Sequence, residues 1–181
     1  MILIIDMDDV IVQGGFLKLI NEYMKTDYTE DDFKDFYMQD ILPDKKAFFE
    51  WFKTKNVYDY CMLAPNAKEV IEALNQKYKV YIGTSYIYRE IPNESGYVLE
   101  QKYNYLLKEF PFIKPDRYIF ITDKELLHAD IKIDDRIDNL VNGTKKILFT
   151  AYHNKNVSDD ELTEKGIERA INWLDVAKKL L

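Results

Sequence analysis

Five short runs of apolar residues, rich in β-branched side chains, recur along this chain, and helical patterns separate most of them. Such short apolar runs are typical of strands buried on both faces, as in parallel sheets covered by helices. The sequence therefore predicts an α/β fold with a doubly wound, five-stranded parallel sheet. The runs are Ile2–Ile5, Lys79–Ile82, Tyr118–Ile121, Ile131–Ile133 and Lys146–Phe149.

Three segments outside these runs carry apolar residues at helical spacing. Asn66 is a candidate N-cap for a helix that leads into the second run. Residues 95–110 form a second helical pattern, which stops before a proline. Residues 168–181 form a third, with Ile171 and Leu174 predicted to face inward.

The first and second runs are separated by more than seventy residues, which is too long for one crossover helix. Residues 16–24 have an amphipathic pattern, and residues 44–53 suggest an aromatic-rich helix. We expect a small helical cap to be inserted after the first strand. The predicted division is residues 1–13 and 65–181 for the α/β core and residues 14–64 for the cap.

The charge balance restricts the classes of partner. With 25 Lys+Arg against 32 Asp+Glu, the net charge is −7, which argues against binding a nucleic-acid polymer or an anionic membrane surface. A small anionic substrate remains compatible with it. The single cysteine, Cys61, excludes an intramolecular disulfide, and the apolar N-terminal run is too short for a targeting or transmembrane segment. We therefore expect a cytoplasmic protein.

Polar side chains follow four of the predicted strands at their carboxyl ends, where open α/β sheets bind ligands. One Asp-x-Asp alone is as readily a solvated acidic turn, but four strand ends converging on one crevice favour a site. The set comprises Asp6 and Asp8, Thr84 and Ser85, Lys124, and the pair Asp134 and Asp135.

These groups suit phosphoryl transfer. One Asp can attack phosphorus to form an aspartyl-phosphate, and a second can protonate the leaving oxygen and then activate water. Hard carboxylate oxygens can hold Mg²⁺, while a lysine and hydroxyl groups stabilise the phosphoryl oxygens. The sequence therefore predicts a Mg²⁺-dependent phosphomonoesterase.

The order of these motifs resembles that of the haloacid dehalogenase-like phosphatase superfamily, namely Asp-x-Asp, Ser/Thr, Lys and an acidic pair. Residues 123–136, where the lysine and the acidic pair share one stretch, are similar to the 5′(3′)-deoxyribonucleotidase family. The segments Lys102-Tyr103 and 110–112 are similar as well, so the resemblance spans essentially the whole chain.

The resemblance implies specific roles for these residues. Asp6 would be the nucleophile and Asp8 the general acid and base, while Thr84, with Ser85, and Lys124 would hold the phosphoryl group. For the metal it implies Mg²⁺ on Asp6, on the Asp8 backbone carbonyl and on Asp135, with Asp134 supporting these ligands.

The substrate implied is a nucleoside monophosphate, although the chain departs from the family pattern at several positions, including Val57-Tyr58, where two aromatic residues are usual, and the segment 86–89. Asp9 stands where glycine is usual, and Gly14 stands where a base-stacking aromatic residue is usual. By position and aromaticity, Phe16, Trp51 and Tyr58 are the candidate rings for contact with a base.

Two alternatives remain open. The same chemistry could act on another small phosphorylated metabolite, such as a sugar phosphate, or the fold could serve as a non-catalytic nucleotide- or phosphate-binding module. His128 and His153 lack metal-ligand spacing and predict no site. The sequence does not fix the oligomeric state, and a homodimer is compatible with it.

Overall fold

The computed structural model describes residues 1–181 and is built around a six-stranded sheet in which every pairing is parallel. The strands are β1 (Ile2–Ile5), β4 (Lys79–Thr84), β5 (Tyr118–Phe120), β6 (Ala129–Asp134), β7 (Gly143–Phe149) and β8 (Ile167–Ala170). Their order in the sheet is β5-β4-β1-β6-β7-β8, so the chain winds outward from the central β1 in both directions. This confirms the doubly wound α/β prediction.

The longest of the six α-helices has 14 residues, and no helix combines the length and hydropathy needed to cross a bilayer. The helices are α1 (Gly15–Met24), α2 (Lys45–Phe52), α3 (Ala67–Lys77), α4 (Gly96–Glu109), α5 (Asp159–Glu164) and α6 (Trp173–Leu180). The helical patterns predicted before the second run and at residues 95–110 therefore correspond to α3 and α4.

The prediction of five strands and of one helix over residues 168–181 is wrong. Residues 167–170 form β8, and α6 begins only after Asn172, whose side chain accepts a hydrogen bond from the Asp175 backbone N–H at 2.9 Å. Ile171 therefore lies before the helix and Leu174 lies on its outer face, and their exposed fractions are 64% and 52%. The residues that face inward are Trp173, Val176 and Leu180.

Helix α3 begins after Asn66, as predicted, but its side chain makes no capping hydrogen bond. Asn66 instead adopts a left-handed backbone conformation, with φ +63°. Asparagine tolerates this region better than most residues, so its role here is to turn the backbone.

The long segment after β1 leaves and returns through an antiparallel ribbon of two short strands, β2 (Val12–Gln13) and β3 (Met62–Leu63). Between them lie α1 and α2 together with irregular loops. Aromatic rings join the two helices: Phe16 lies 5.8 Å from Phe48 between ring centroids. Phe48 belongs to the same buried hydrophobic cluster as residues of β1, and Phe16 packs against that cluster, which holds the inserted segment against the α/β core.

Candidate active site

The carboxyl ends of the three central strands meet at one edge of the sheet. The register pairs Ile5 of β1 with Ile82 of β4 and with Ile133 of β6. Asp6 continues this ladder by donating its backbone N–H to the Ile133 carbonyl at 2.9 Å. The structure therefore brings Asp6, Thr84 and the acidic pair at the end of β6 to the same edge.

Lys124 lies between two of the carboxylates. Its Nζ is 2.6 Å from Asp6 Oδ1 and donates to Asp134 Oδ2 at 2.9 Å. Asp6 Oδ1 also accepts the Met7 backbone N–H at 2.7 Å, which leaves Asp6 Oδ2 without a protein donor. Asp6 thus has one anchored oxygen and one oxygen free to react.

Burial raises the pKa of Asp6 to about 6, although the Lys124 ammonium limits the rise. Burial also raises the pKa values of Asp134 and Asp135. Burial opposes protonation of Lys124, but its two carboxylate partners outweigh that effect and hold its pKa above the usual value. Three buried carboxyl groups therefore surround a single ammonium, so negative charge exceeds positive charge in a region shielded from water.

These carboxylates form a donor set for a hard cation. Oxygens of Asp6, Asp134 and Asp135 lie within 4.8 Å of one another, and all three residues are buried. Mg²⁺ prefers oxygen ligands, and its charge would balance these buried carboxylates. We call the group of Asp6, Asp134, Asp135 and Lys124 the acidic floor.

Asp8 lies at the rim, held by two donors. Tyr58 donates its hydroxyl to Asp8 Oδ1 at 2.8 Å, and the Lys102 ammonium forms an ion pair with Asp8 Oδ2. The same ammonium donates to Thr84 Oγ1 at 2.7 Å. The Asp8 side chain is 52% exposed, whereas that of Lys102 is 2% exposed. Asp8 is therefore fixed in direction while still facing the crevice.

Lys102 is a site residue that the sequence analysis noted only as part of a family resemblance. It lies on the buried face of α4 with Val98 and Leu106. These three residues are spaced by four, so the signal was a charged residue at a core-facing helical position. Buried lysines are rare unless paired, and that rarity points to a partner such as Asp8.

The prediction that neither histidine belongs to a site is wrong for His153. Its Nε2 lies 2.7 Å from Asp135 Oδ2, and Asn154 donates its side-chain amide to the Asp135 backbone carbonyl at 2.7 Å. These contacts fix both ends of Asp135. His153 follows β7, so only the sheet order brings it beside Asp135, which follows β6. His128 is exposed.

A cavity of about 350 Å³ opens above the floor. Its lining includes Asp9, Ser85 and six aromatic residues, four of which we call the aromatic wall. Within it, Phe16 stacks on Tyr88 at 5.7 Å. The wall consists of Phe16, Phe36, Tyr37 and Tyr88.

Of the three rings predicted to contact substrate, only Phe16 lines this cavity. Trp51 packs on Tyr23 with ring centroids 5.3 Å apart. Tyr58 bonds to Asp8, and burial, with the Asp8 charge, raises its pKa and keeps it a hydroxyl donor. Phe36 was missed because no helical or strand pattern surrounds it.

Phe36 and Tyr37 are held by residues distant in sequence. Arg136 lies over the Phe36 ring at 4.7 Å, and the Tyr152 hydroxyl donates to the Phe36 carbonyl at 2.6 Å. Arg89 lies over the Tyr37 ring at 4.0 Å. Loops from the sheet therefore fix two rings of the inserted segment over the crevice.

Comparison with known proteins yields consistent sequence and structural matches. A family model described as "5' nucleotidase, deoxy (Pyrimidine), cytosolic type C protein" matches residues 1–181. A putative 5'(3')-deoxyribonucleotidase of Staphylococcus epidermidis is 30% identical over 95% of this chain and 91% of its own length. A 5'(3')-deoxyribonucleotidase of Bacillus subtilis is 29% identical over 99% of this chain and 98% of its own length.

Two solved structures share the fold. A haloacid dehalogenase-like family hydrolase from Streptococcus pneumoniae superposes with a TM-score of 0.60 at 14% identity, covering 99% of this chain and 98% of that one. A D,D-heptose 1.7-bisphosphate phosphatase from B. bronchiseptica, complexed with magnesium and phosphate, superposes with a TM-score of 0.53 at 12% identity. This match covers 99% of this chain and 97% of that one.

Proposed function

Because this chain belongs to the family of deoxy (pyrimidine) 5' nucleotidases of cytosolic type C and is a phosphatase, we propose that it dephosphorylates deoxyribonucleoside monophosphates through an aspartyl-phosphate on Asp6. The single observation that carries the proposal is the acidic floor. There, Lys124 anchors one oxygen of Asp6 and leaves the other free, with Asp8 at the rim. Such an arrangement suits nucleophilic attack on a phosphoryl group.

In the first half-reaction, Asp6 Oδ2 forms a bond to phosphorus as the bond from phosphorus to the nucleoside oxygen breaks. Asp8 donates its proton to that leaving oxygen. The Lys124 ammonium, already beside Asp6, lies where it can offset charge on the phosphoryl oxygens.

In the second half-reaction, Asp8 removes a proton from water, and the water oxygen attacks phosphorus. The bond from phosphorus to Asp6 breaks, which releases inorganic phosphate and restores both carboxyl groups. Tyr58 and Lys102 hold the Asp8 carboxylate in direction, and Lys102 also links it to Thr84, a predicted phosphate ligand.

Asp6, Asp135 and, in support, Asp134 would hold Mg²⁺, together with the Asp8 backbone carbonyl. The carboxylate oxygens of the three buried residues fit this use, because they cluster within 4.8 Å and the single Lys124 ammonium offsets only part of their negative charge. When bound, Mg²⁺ would neutralise charge on the phosphoryl group and on the floor.

The aromatic wall supports a nucleotide over a sugar phosphate. Flat bases stack on aromatic rings, whereas sugars need several polar partners, and the cavity is lined by Phe16, Phe36, Tyr37 and Tyr88. The relatives named as deoxyribonucleotidases support the same choice.

The test is phosphate release, measured with Mg²⁺ across thymidine and deoxyuridine monophosphates, hexose phosphates and triose phosphates. We expect kcat/KM for the two nucleotides to exceed that for every sugar phosphate by about tenfold or more. Asp6→Asn prepared in parallel controls for contaminating phosphatases.

A sugar phosphate that wins by about tenfold would contradict the nucleotide assignment and leave the phosphatase in place. Binding of nucleotides without release of phosphate from any compound would instead favour the binding module.

A further inference from the structure

Lys132 interrupts the apolar interior of the sheet. It lies on β6 between Ile131 and Ile133 and is 3% exposed, like its apolar neighbours. Parallel strands buried on both faces are normally continuous apolar runs. An ammonium there costs free energy unless its three donors find partners.

All three donors do find partners, and each partner is a backbone carbonyl. Lys132 Nζ donates to the carbonyls of Lys124 at 3.0 Å, Leu127 at 3.1 Å and Val141 at 2.8 Å. The first two carbonyls belong to the loop that carries Lys124, and the third follows the loop after the acidic pair. Lys132 therefore ties together two loops of the site.

Side chains two apart on a strand share a face, so Lys132 and Asp134 point to the same side of β6. They hold opposite ends of one residue. Lys132 binds the Lys124 carbonyl at 3.0 Å, and Asp134 accepts from the Lys124 ammonium at 2.9 Å.

Gly143 on the neighbouring strand gives the Lys132 stem its space. A Cβ at Gly143 would lie 3.1 and 3.2 Å from Cγ and Cδ of Lys132, which is closer than most such contacts. A side chain at this position would crowd the buried stem.

We propose that Lys132 is a positioning residue for phosphoryl transfer, which fixes the backbone of Lys124 so that its ammonium stands beside Asp6. This inference rests on the proposed role of Lys124. Lys124 precedes Asp134 by ten residues in the chain. The Lys132 ammonium links the two segments, because it extends from the strand that carries Asp134 to the backbone carbonyl of Lys124.

The test is Lys132→Met, which keeps the apolar stem and removes all donors. We expect the inhibition constant for inorganic phosphate to rise about tenfold and kcat to fall, because the Lys124 ammonium loses its fixed position. Lys146→Met is the matched control: it pairs with Lys132 in the sheet, and its side chain makes no hydrogen bond or ion pair. We expect it to leave both constants unchanged.

A purely structural role for Lys132 would lower the melting temperature without changing phosphate inhibition below it. Ile167→Ala, in the small cluster that includes Leu162 of α5, provides a destabilised comparison that leaves every floor side chain in place. If Lys132→Met does not fold, Lys132→Gln and Gly143→Ala replace it, with smaller effects expected in the same direction. Wild-type phosphate inhibition in a folded Lys132 variant would overturn the proposal.

Lys124→Met separates this inference from the proposed function. If Lys124→Met leaves activity unchanged, the phosphoryl role of Lys124 itself fails. If it impairs activity while Lys132→Met does not, only the positioning role fails. If Lys132 acts through Lys124, then Lys132→Met should raise the inhibition constant for phosphate no further in the Lys124→Met background.

Discussion

The acidic floor and the aromatic wall face each other across one cavity but are built in opposite ways. The floor stands largely on the ends of β1 and β6, and each of its side chains has a charged or hydrogen-bonding partner. Three of the four wall rings stand on loops, with Phe16 on α1, and two of the loop rings, Phe36 and Tyr37, are 37% and 39% exposed. The floor is therefore preorganised for chemistry, whereas the wall is suited to selecting substrates.

This difference predicts a division of effects. Floor substitutions should impair every phosphate ester alike, because each ester presents the same phosphoryl group. Wall substitutions should impair only esters whose leaving group reaches the rings. Comparing a nucleotide with a small aryl phosphate separates the two.

The largest effect is expected for Asp6→Asn. An amide is a poor nucleophile of similar shape, so turnover of nucleotides and aryl phosphates should fall by about 10⁴-fold or more. Activity within about tenfold of wild type in a folded protein would contradict the role of Asp6.

The same variant should melt no lower than wild type at pH 7 without metal. The pKa of Asp6 is raised to about 6, so its ionised form destabilises the native state above that pH. This cost decreases as the pH falls through 6 toward the pKa of Asp6 in the unfolded chain. The stabilisation by Asp6→Asn should therefore be fully present at pH 7 and should shrink by pH 4.

Asp8→Asn should distinguish the two classes of leaving group. We expect a loss of about 10²- to 10³-fold with nucleoside monophosphates, whose alkoxide leaving group needs a proton. Release of the first product from an activated aryl phosphate should be affected much less. Equal losses in the two first steps would indicate a structural or metal-binding role for Asp8.

Asp135→Asn should raise the Mg²⁺ concentration that gives half-maximal activity by about 10- to 100-fold. Asp138→Asn, an exposed carboxylate in the following loop, is the matched control and should leave it unchanged. Direct calorimetry of Mg²⁺ binding provides a readout independent of turnover. Unaltered Mg²⁺ affinity in Asp135→Asn would remove Asp135 from the metal ligands.

The smallest effect belongs to the wall. Phe36→Ala should lower kcat/KM for thymidine monophosphate by about tenfold, the size of one stacking contact, and leave an aryl phosphate nearly unchanged. Tyr103→Ala, a comparably exposed ring on α4, controls for ring removal elsewhere. Equal losses on both esters would show that the wall also supports the chemistry.

The sequence predicted the acidic floor better than the aromatic wall, because the floor lies on strand ends and most of the wall lies on loops. Asp6 directly follows β1, and Thr84 and Asp134 are the last residues of β4 and β6, so strand prediction alone brings them to one edge. Phe36 lies in an irregular loop fixed by Arg136 and by residues after β7, and such long-range contacts leave no local periodicity.

Trp51 and β8 illustrate the same limit. Trp51 belongs to an aromatic-rich helix, and only packing on Tyr23 distinguishes a core ring from a binding ring. Strand β8 is an edge strand with an exposed Glu168 and a half-buried Arg169, so its four residues lack the apolar run that marks the central strands.

The most direct test of the nucleophile is to trap the phosphoryl group on the protein. Asp8→Asn should pass an aryl phosphate through the first half-reaction and stall before hydrolysis, because the water lacks its base. After acid quenching, mass spectrometry of the peptide spanning residues 1–18 should detect one added phosphoryl group, with fragmentation placing it on Asp6. An unmodified peptide during product release, or a phosphoryl group on another residue, would contradict Asp6 as the nucleophile.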